Sequence, residues 1–256
     1  MALIHLDHLP ETVKVHSPLN VIIPDPGTMN GVPVRDRKVL YLLHGLSDDA
    51  SSWQRYTAIE TYAKKYGIVV VMPSVGRSFY LDMPNGQKYF TYIIEELPQY
   101  LEDVFGIKPD PGKTFIAGLS MGGYGAMKAA LLHPERYFAI GSFSGVLSMH
   151  GWTANPEDPR ITEFSLLFGD LDKLPGSGYD PSIWLANTFK NSGVQSIPRL
   201  FVSCGLQDDL LPTNRFFIGN CRSLGVPVEY HEENGIHDWY FWDKQIRDFL
   251  TFALEQ

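Results

Sequence analysis

Five stretches of this chain are apolar almost without a break: VLYLLHG (39–45), IVVVMP (68–73), KTFIAG (113–118), YFAIGSFSG (137–145) and PRLFVSCG (198–205). A strand with one face in water alternates polar and apolar residues, whereas a strand covered on both faces has no need to. VEYHEE (228–233) reads as a sixth, more polar strand. The intervening segments supply the cover at helical period: TAIETYAKKYG (57–67), YIIEELPQYLEDVFG (92–106, with Pro98 as a kink point), YGAMKAALLHP (124–134) and DWYFWDKQIRDFLTFALEQ (238–256). Such alternation predicts an α/β fold, a mostly parallel, doubly wound sheet with helices on both faces. ETVKVHSPLNVIIP (11–24) alternates instead, which predicts an antiparallel hairpin arm at the sheet edge.

The chain has 256 residues, 44% of them hydrophobic, which suits one α/β domain over 1–256. Its formal net charge is -8 and it has no Lys/Arg run, which disfavours nucleic acid and anionic membranes as partners. A small molecule is the expected partner, and an aromatic content of 13% is compatible with a homo-oligomer. The N-terminus lacks the basic-then-apolar order of a signal peptide, and no apolar run reaches the roughly 18 residues of a membrane span. Cys204 and Cys221 form no CxxC pair and read as reduced thiols. These features together predict a cytoplasmic protein.

One segment breaks the rhythm. Between Gly145 and Pro198 lie WTANPEDPR, LLFGDLDKLPGSGYD and PSIWLANTF, too long for an ordinary αβ connection. It reads as an excursion over the carboxyl edge of the sheet, where open α/β sheets bind ligands.

FIAGLSMGGYGA (115–126) carries the chemistry. Gly118-Leu119-Ser120-Met121-Gly122 fits G-x-S-x-G, with a predicted strand before it and a helix after it. In that context the glycines let neighbouring backbone approach, and the strained turn holds the Ser120 hydroxyl out at the sheet edge. Without that context the same five residues would be a Gly-rich turn with an incidental serine.

An alcohol needs a base, and the base needs an orienting acid. His237 lies between the last strand and the last helix, the place of the third member in the order Ser, acid, His. His231 lies inside a strand, His133 at a helix end, and His5, His8 and His16 on the N-terminal arm. The acid should leave the strand before, where LFVSCGLQDDLLP offers Asp208 and Asp209. A tight turn through Gly205 favours Asp208, with Asp209 as a solvated neighbour. Two backbone N–H groups should receive the oxyanion. Met121 follows the nucleophile, and Leu46 follows the bend at Gly45, with His44 bracing that loop.

Together YLLHGLSDDASSW, GLSMGGYGAMKAA, CGLQDD and GIHDWYFW resemble the esterase D-like group of α/β-hydrolases over roughly residues 10–252. That group includes S-formylglutathione hydrolases, bacterial tributyrin esterases, feruloyl or cinnamoyl esterases and mycolyltransferases. The stretch FYLDMPNGQKYFTYIIEELPQYLEDVFGI is most similar to the tributyrin esterases. The resemblance implies the α/β-hydrolase fold, the triad Ser120, Asp208 and His237, and the oxyanion donors Leu46 and Met121. It implies neither a metal nor an organic cofactor, and it makes 146–197 a small cap.

Trp152, Phe168, Tyr179 and Trp184 in that cap, and Phe79 and Tyr80 after IVVVMP, are candidate pocket residues. Ordinary packing is the competing role for each. The expected function is a serine carboxylesterase for short acyl or small aryl esters. The alternatives are a thioesterase for a glutathione thioester, a feruloyl esterase, and a non-catalytic binding module of the same fold.

Overall fold

The computed structural model describes residues 1–29, 31–150 and 157–255. Its centre is one eight-stranded sheet in the order β1-β2-β4-β3-β5-β6-β7-β8. The strands are β1 (Ala2–His8), β2 (Ser17–Ile23), β3 (Val39–Leu43), β4 (Val69–Pro73), β5 (Thr114–Leu119), β6 (Ala139–Phe143), β7 (Arg199–Gly205) and β8 (Val228–Glu233). Strands β3 to β8 run parallel, and the pairs β1–β2 and β2–β4 are antiparallel. Every residue of β3, β4, β5 and β6 is buried, as their unbroken apolar sequences require.

The helices are α1 (Ser52–Tyr56), α2 (Ile59–Tyr66), α3 (Tyr89–Thr91), α4 (Leu97–Phe105), α5 (Met121–Leu132), α6 (Ile161–Phe168), α7 (Pro181–Ser192), α8 (Leu211–Ser223) and α9 (Trp239–Leu254). Two apolar layers result. On one face of the sheet, residues of α4, α5, α7 and α8 pack together, among them Leu101, Tyr124, Trp184 and Phe217. On the other, α2 and α9 bring Ile59, Ala63, Ile246 and Phe249 against Phe115, Phe143 and Phe201.

One local reading is corrected and two gain detail. The edge hairpin is β1 with β2, so it begins at residue 2, and 11–13 form a turn. β1 escaped notice because only His8 of ALIHLDH is buried, so the segment lacks the clean alternation of a half-buried strand. The helix expected within 57–67 is α2, closed by Gly67 at φ 63°, and the extended Thr57 separates it from the short α1 before it. Pro98 does not break its helix. The turn before it, Tyr92–Glu96, is wound wider as a π-helix, and α4 continues to Gly106, whose φ of 68° ends it.

Candidate active site

Ser120 sits between β5 and α5 with φ 50° and ψ −116°, a conformation that L residues enter only at a cost. The glycines around it have specific reasons. A Cβ on Gly118 would lie 2.5 Å from the Gly122 carbonyl carbon, and one on Gly122 would run into the Leu43 and His44 carbonyls of the β3 end. A Cβ on Gly125 would run into the Tyr80 ring. Backbone bonds pin the turn, with Ser120 N–H donating to the Phe143 carbonyl (2.9 Å) and Tyr124 N–H to that of Ser120 (3.1 Å). Met121 opens α5, so its N–H is one of those that no helical carbonyl can take.

The loops after β7 and β8 are zipped together. Leu206 N–H donates to the Glu233 carbonyl (2.9 Å) and Gln207 N–H to that of Gly235 (3.1 Å). Gly205 permits this, because a Cβ there would meet the Gly235 backbone. The result sets His237 Nδ1 2.8 Å from Asp208 Oδ2, while Leu210 N–H donates to Asp208 Oδ1 (2.8 Å). Burial opposes ionisation of Asp208. The hydrogen bonds from His237 and Leu210 prevail and hold its carboxyl below the usual carboxylate range. Asp209 is exposed beside it. With Nδ1 engaged by Asp208, Nε2 is the nitrogen left for a serine.

The third loop follows β3. His44 is buried, and burial lowers its pKa, so it is neutral. Its Nε2 accepts from Val75 N–H (3.0 Å), so Nδ1 carries the proton and donates to the Gly45 carbonyl (2.7 Å). Leu46 comes next in the chain.

These loops converge on a cavity of about 530 Å³. Ser120, His237, Asp208 and Leu46 line it, all from the carboxyl ends of strands. Its apolar wall is Phe79, Val146, Ile161, Phe164 and Leu171, and Asp158, Arg160 and Asp209 add charge. Among the described residues, no group of three or more His, Cys, Asp or Glu side chains is arranged to hold a metal ion.

The aromatic expectations divide. Phe79 lines the cavity, packed edge-on against Phe164 (5.6 Å) and Phe168 (5.1 Å). Tyr80 does not. It is buried, and its hydroxyl donates to the His44 carbonyl (3.0 Å), so it braces the loop before Leu46. Trp184 does not either, because α7 belongs to the helical layer. Its ring packs on Tyr124 (5.1 Å) and its Nε1–H donates to the Gly178 carbonyl (2.8 Å). Trp152 lies outside the described residues. The sequence reading missed residues of the cavity wall. Ile161 and Phe164 sit on α6, whose helical period the Gly/Pro-rich flanks obscured.

An elbow serine, a hydrogen-bonded Asp–His pair and a carboxyl-edge cavity on this sheet define a serine hydrolase of the α/β-hydrolase fold. The Esterase family model matches residues 15–252, and the chain belongs to that family. It is 32% identical to an acetyl esterase of Caldicellulosiruptor saccharolyticus, over 96% of each chain. Among solved structures it is similar to the substrate-bound fluorophosphonate-binding serine hydrolase F of Staphylococcus aureus. That match has a TM-score of 0.89 and 32% identity, over 100% of this chain and 99% of the other. It is also similar to an S-formylglutathione hydrolase of the same organism, with a TM-score of 0.87 and 32% identity over 99% of each chain.

Proposed function

We propose that the protein is a serine carboxylesterase that hydrolyses esters of short acyl groups, acetyl to butyryl, through an acyl-enzyme. The observation that carries this reading is the convergence of the Ser120 elbow and the Asp208–His237 hydrogen bond on one cavity with an apolar wall. In this mechanism Ser120 Oγ attacks the ester carbonyl while His237 Nε2 takes its proton. The Leu46 and Met121 N–H groups receive the negative charge that grows on the carbonyl oxygen. Asp208 stabilises the imidazolium. His237 then returns the proton to the departing alkoxide, and the alcohol leaves. Water, deprotonated by the same histidine, attacks the acyl-enzyme. The carboxylic acid is released and Ser120 is regenerated.

The acetyl esterase relative supports a short acyl group, as does a wall of a few apolar side chains. A thioester substrate is the second reading, favoured by the similarity to an S-formylglutathione hydrolase. A cytoplasmic setting is part of the proposal, supported by two buried free thiols.

The test is initial rates on p-nitrophenyl acetate, butyrate and octanoate, methyl ferulate and S-formylglutathione, with Ser120→Ala as the blank. The expected result is kcat/KM highest for acetate or butyrate and abolished in the variant. A preference for S-formylglutathione of more than about tenfold, worth roughly 1.4 kcal/mol in the barrier, would move the reading to the thioesterase. A variant as active as wild type would remove Ser120 from the mechanism.

A further inference from the structure

Asp209 lines the cavity one residue beyond Asp208, and the mechanism above gives it no part. It is exposed, and among the described residues its carboxylate has no hydrogen-bond or ion-pair partner. The other charges of the cavity are taken up. Asp208 is buried and bonded to His237 and Leu210. Among the described residues of the lining, Arg160 is the one Lys or Arg, and it is committed to Asp158. Its Nε donates to Oδ1 (3.0 Å), its Nη2 to Oδ2 (2.8 Å), and its backbone N–H also to Oδ1 (2.8 Å). Such a two-pronged pair is a closed unit without net charge. Residues 151–156, GWTANP, carry no ionisable side chain that could supply a counter-charge. The charge left facing a substrate is therefore negative and belongs to Asp209. The chain's formal net charge of -8 adds the same sign at longer range.

We propose that Asp209 selects esters whose alcohol carries a positive charge, an ammonium group close to the ester oxygen. The proposal rests on the reading of Ser120, Asp208 and His237 as the triad of a short-acyl esterase. On that reading the acyl group is small and uncharged and suits the apolar wall of Phe79, Val146, Ile161, Phe164 and Leu171. A charged group then falls to the alcohol. An ammonium there is attracted by the Asp209 carboxylate, and a second carboxylate is repelled by it. An anionic alcohol would also have to displace Asp158 from the Arg160 fork to find a cation. S-formylglutathione, with two carboxylates against one ammonium, falls on the disfavoured side.

Three acetate esters separate charge from shape. They are acetylcholine, its uncharged isostere with a tert-butyl group in place of the trimethylammonium, and the acetate ester of γ-hydroxybutyrate. Each turnover releases acetic acid, so initial rates near neutral pH are read by pH-stat titration. The full chain of wild type, Asp209→Asn, Asp209→Glu, Arg160→Gln and Ser120→Ala is compared. The acetylcholine-to-isostere ratio of kcat/KM should fall about threefold to tenfold in Asp209→Asn, the scale of one exposed charge close to another. The ratio for the anionic ester should rise. Asp209→Glu keeps the charge and should keep the acetylcholine ratio within about twofold. Arg160→Gln frees the Asp158 carboxylate and should raise it. About 0.5 M salt should lower the wild-type ratio and leave that of Asp209→Asn unmoved. A ratio cancels any change common to both esters, so a variant that only loosens the neighbouring triad does not mimic the effect.

An acetylcholine-to-isostere ratio that is the same in wild type and Asp209→Asn overturns the proposal. So does a wild type that prefers the anionic ester, and loss of that preference in Arg160→Gln would assign charge recognition to Arg160 instead. If Ser120→Ala retains wild-type rates, the esterase mechanism falls and this role falls with it. If Ser120→Ala is inactive while the ratio ignores Asp209, only the role of Asp209 falls.

Discussion

At Gly122 there is no room for a single carbon. A Cβ would be driven into the Leu43 carbonyl and lie 2.7 Å from that of His44, both rigid backbone at the end of β3. Gly122→Ala should therefore push the start of α5 away from the loop that carries Leu46, separating the Leu46 and Met121 N–H groups proposed to receive the oxyanion. The expected loss in kcat/KM is at least about a hundredfold, as for removal of one donor, with a lowered melting temperature. Gly219, in the middle of α8, is the contrast: nothing lies within 4 Å of its missing Cβ. Gly219→Ala should leave activity unchanged and stabilise by about 0.5–1 kcal/mol, read from denaturant melts. Normal activity in Gly122→Ala would show that the elbow has slack the geometry denies. The elbow was legible in the sequence because Gly118, Ser120 and Gly122 act on one another within five residues. The pairing of Asp208 with His237 was legible because their loops follow strands in chain order. The corner at Ser144, with φ 48°, was not, because its partners Ser203 and Trp242 are close only after folding.

Between residues and the whole stand the elements that shape the cavity. Phe79 and Tyr80 hold φ values of 50° and 53°, an uncommon pair for aromatic residues. The turn is held by Tyr80 to His44 on one side and by the ammonium of Lys128, 3.0 Å from the Tyr80 carbonyl, on the other. It presents Phe79 to α6, which closes the wall with Ile161 and Phe164. Arg77, just before that turn, grips Glu163 of α6 with two bonds of 2.5 and 2.7 Å. An exposed pair of this kind adds only about 0–1 kcal/mol to stability. Its effect should fall on the cavity instead. Glu163→Gln is expected to leave kcat on p-nitrophenyl acetate within about twofold and to raise the octanoate-to-acetate ratio of kcat/KM by about threefold to tenfold, a change of about 1 kcal/mol. About 0.5 M salt should shift wild type in the same direction by screening the pair. An unchanged ratio would mean that α6 does not set the acyl limit. Phe79 was legible as a pocket candidate, but its tie to α6 was not, because Arg77 and Glu163 are separated by 86 positions.

At the scale of the molecule, the parallel sheet followed from strands too apolar to face water, and the strand order had no such local signal. The long apolar face of α5 has one polar exception with a global consequence. Lys128 is 8% exposed, its ammonium 3.9 Å above the Phe90 ring, with Asp82 the nearby charge that favours protonation. Burial outweighs that charge and lowers its pKa from 10.5 to about 7. The unfolded chain therefore binds more protons than the folded one between about pH 7 and the ordinary lysine pKa, and stability should rise with pH across that window. Below it both states are protonated and the full cost of burying the charge is paid. Lys128→Met removes the titration. The variant should be more stable than wild type by about 1–3 kcal/mol near pH 6, and the difference should shrink steadily toward about pH 10. Paired denaturant melts at several pH values measure it. A difference that stays flat with pH would show that Lys128 keeps an ordinary pKa in the folded protein. One that grows with pH would mean that the cation is stabilised where it lies, by Phe90 and the Tyr80 carbonyl, more than burial disfavours it.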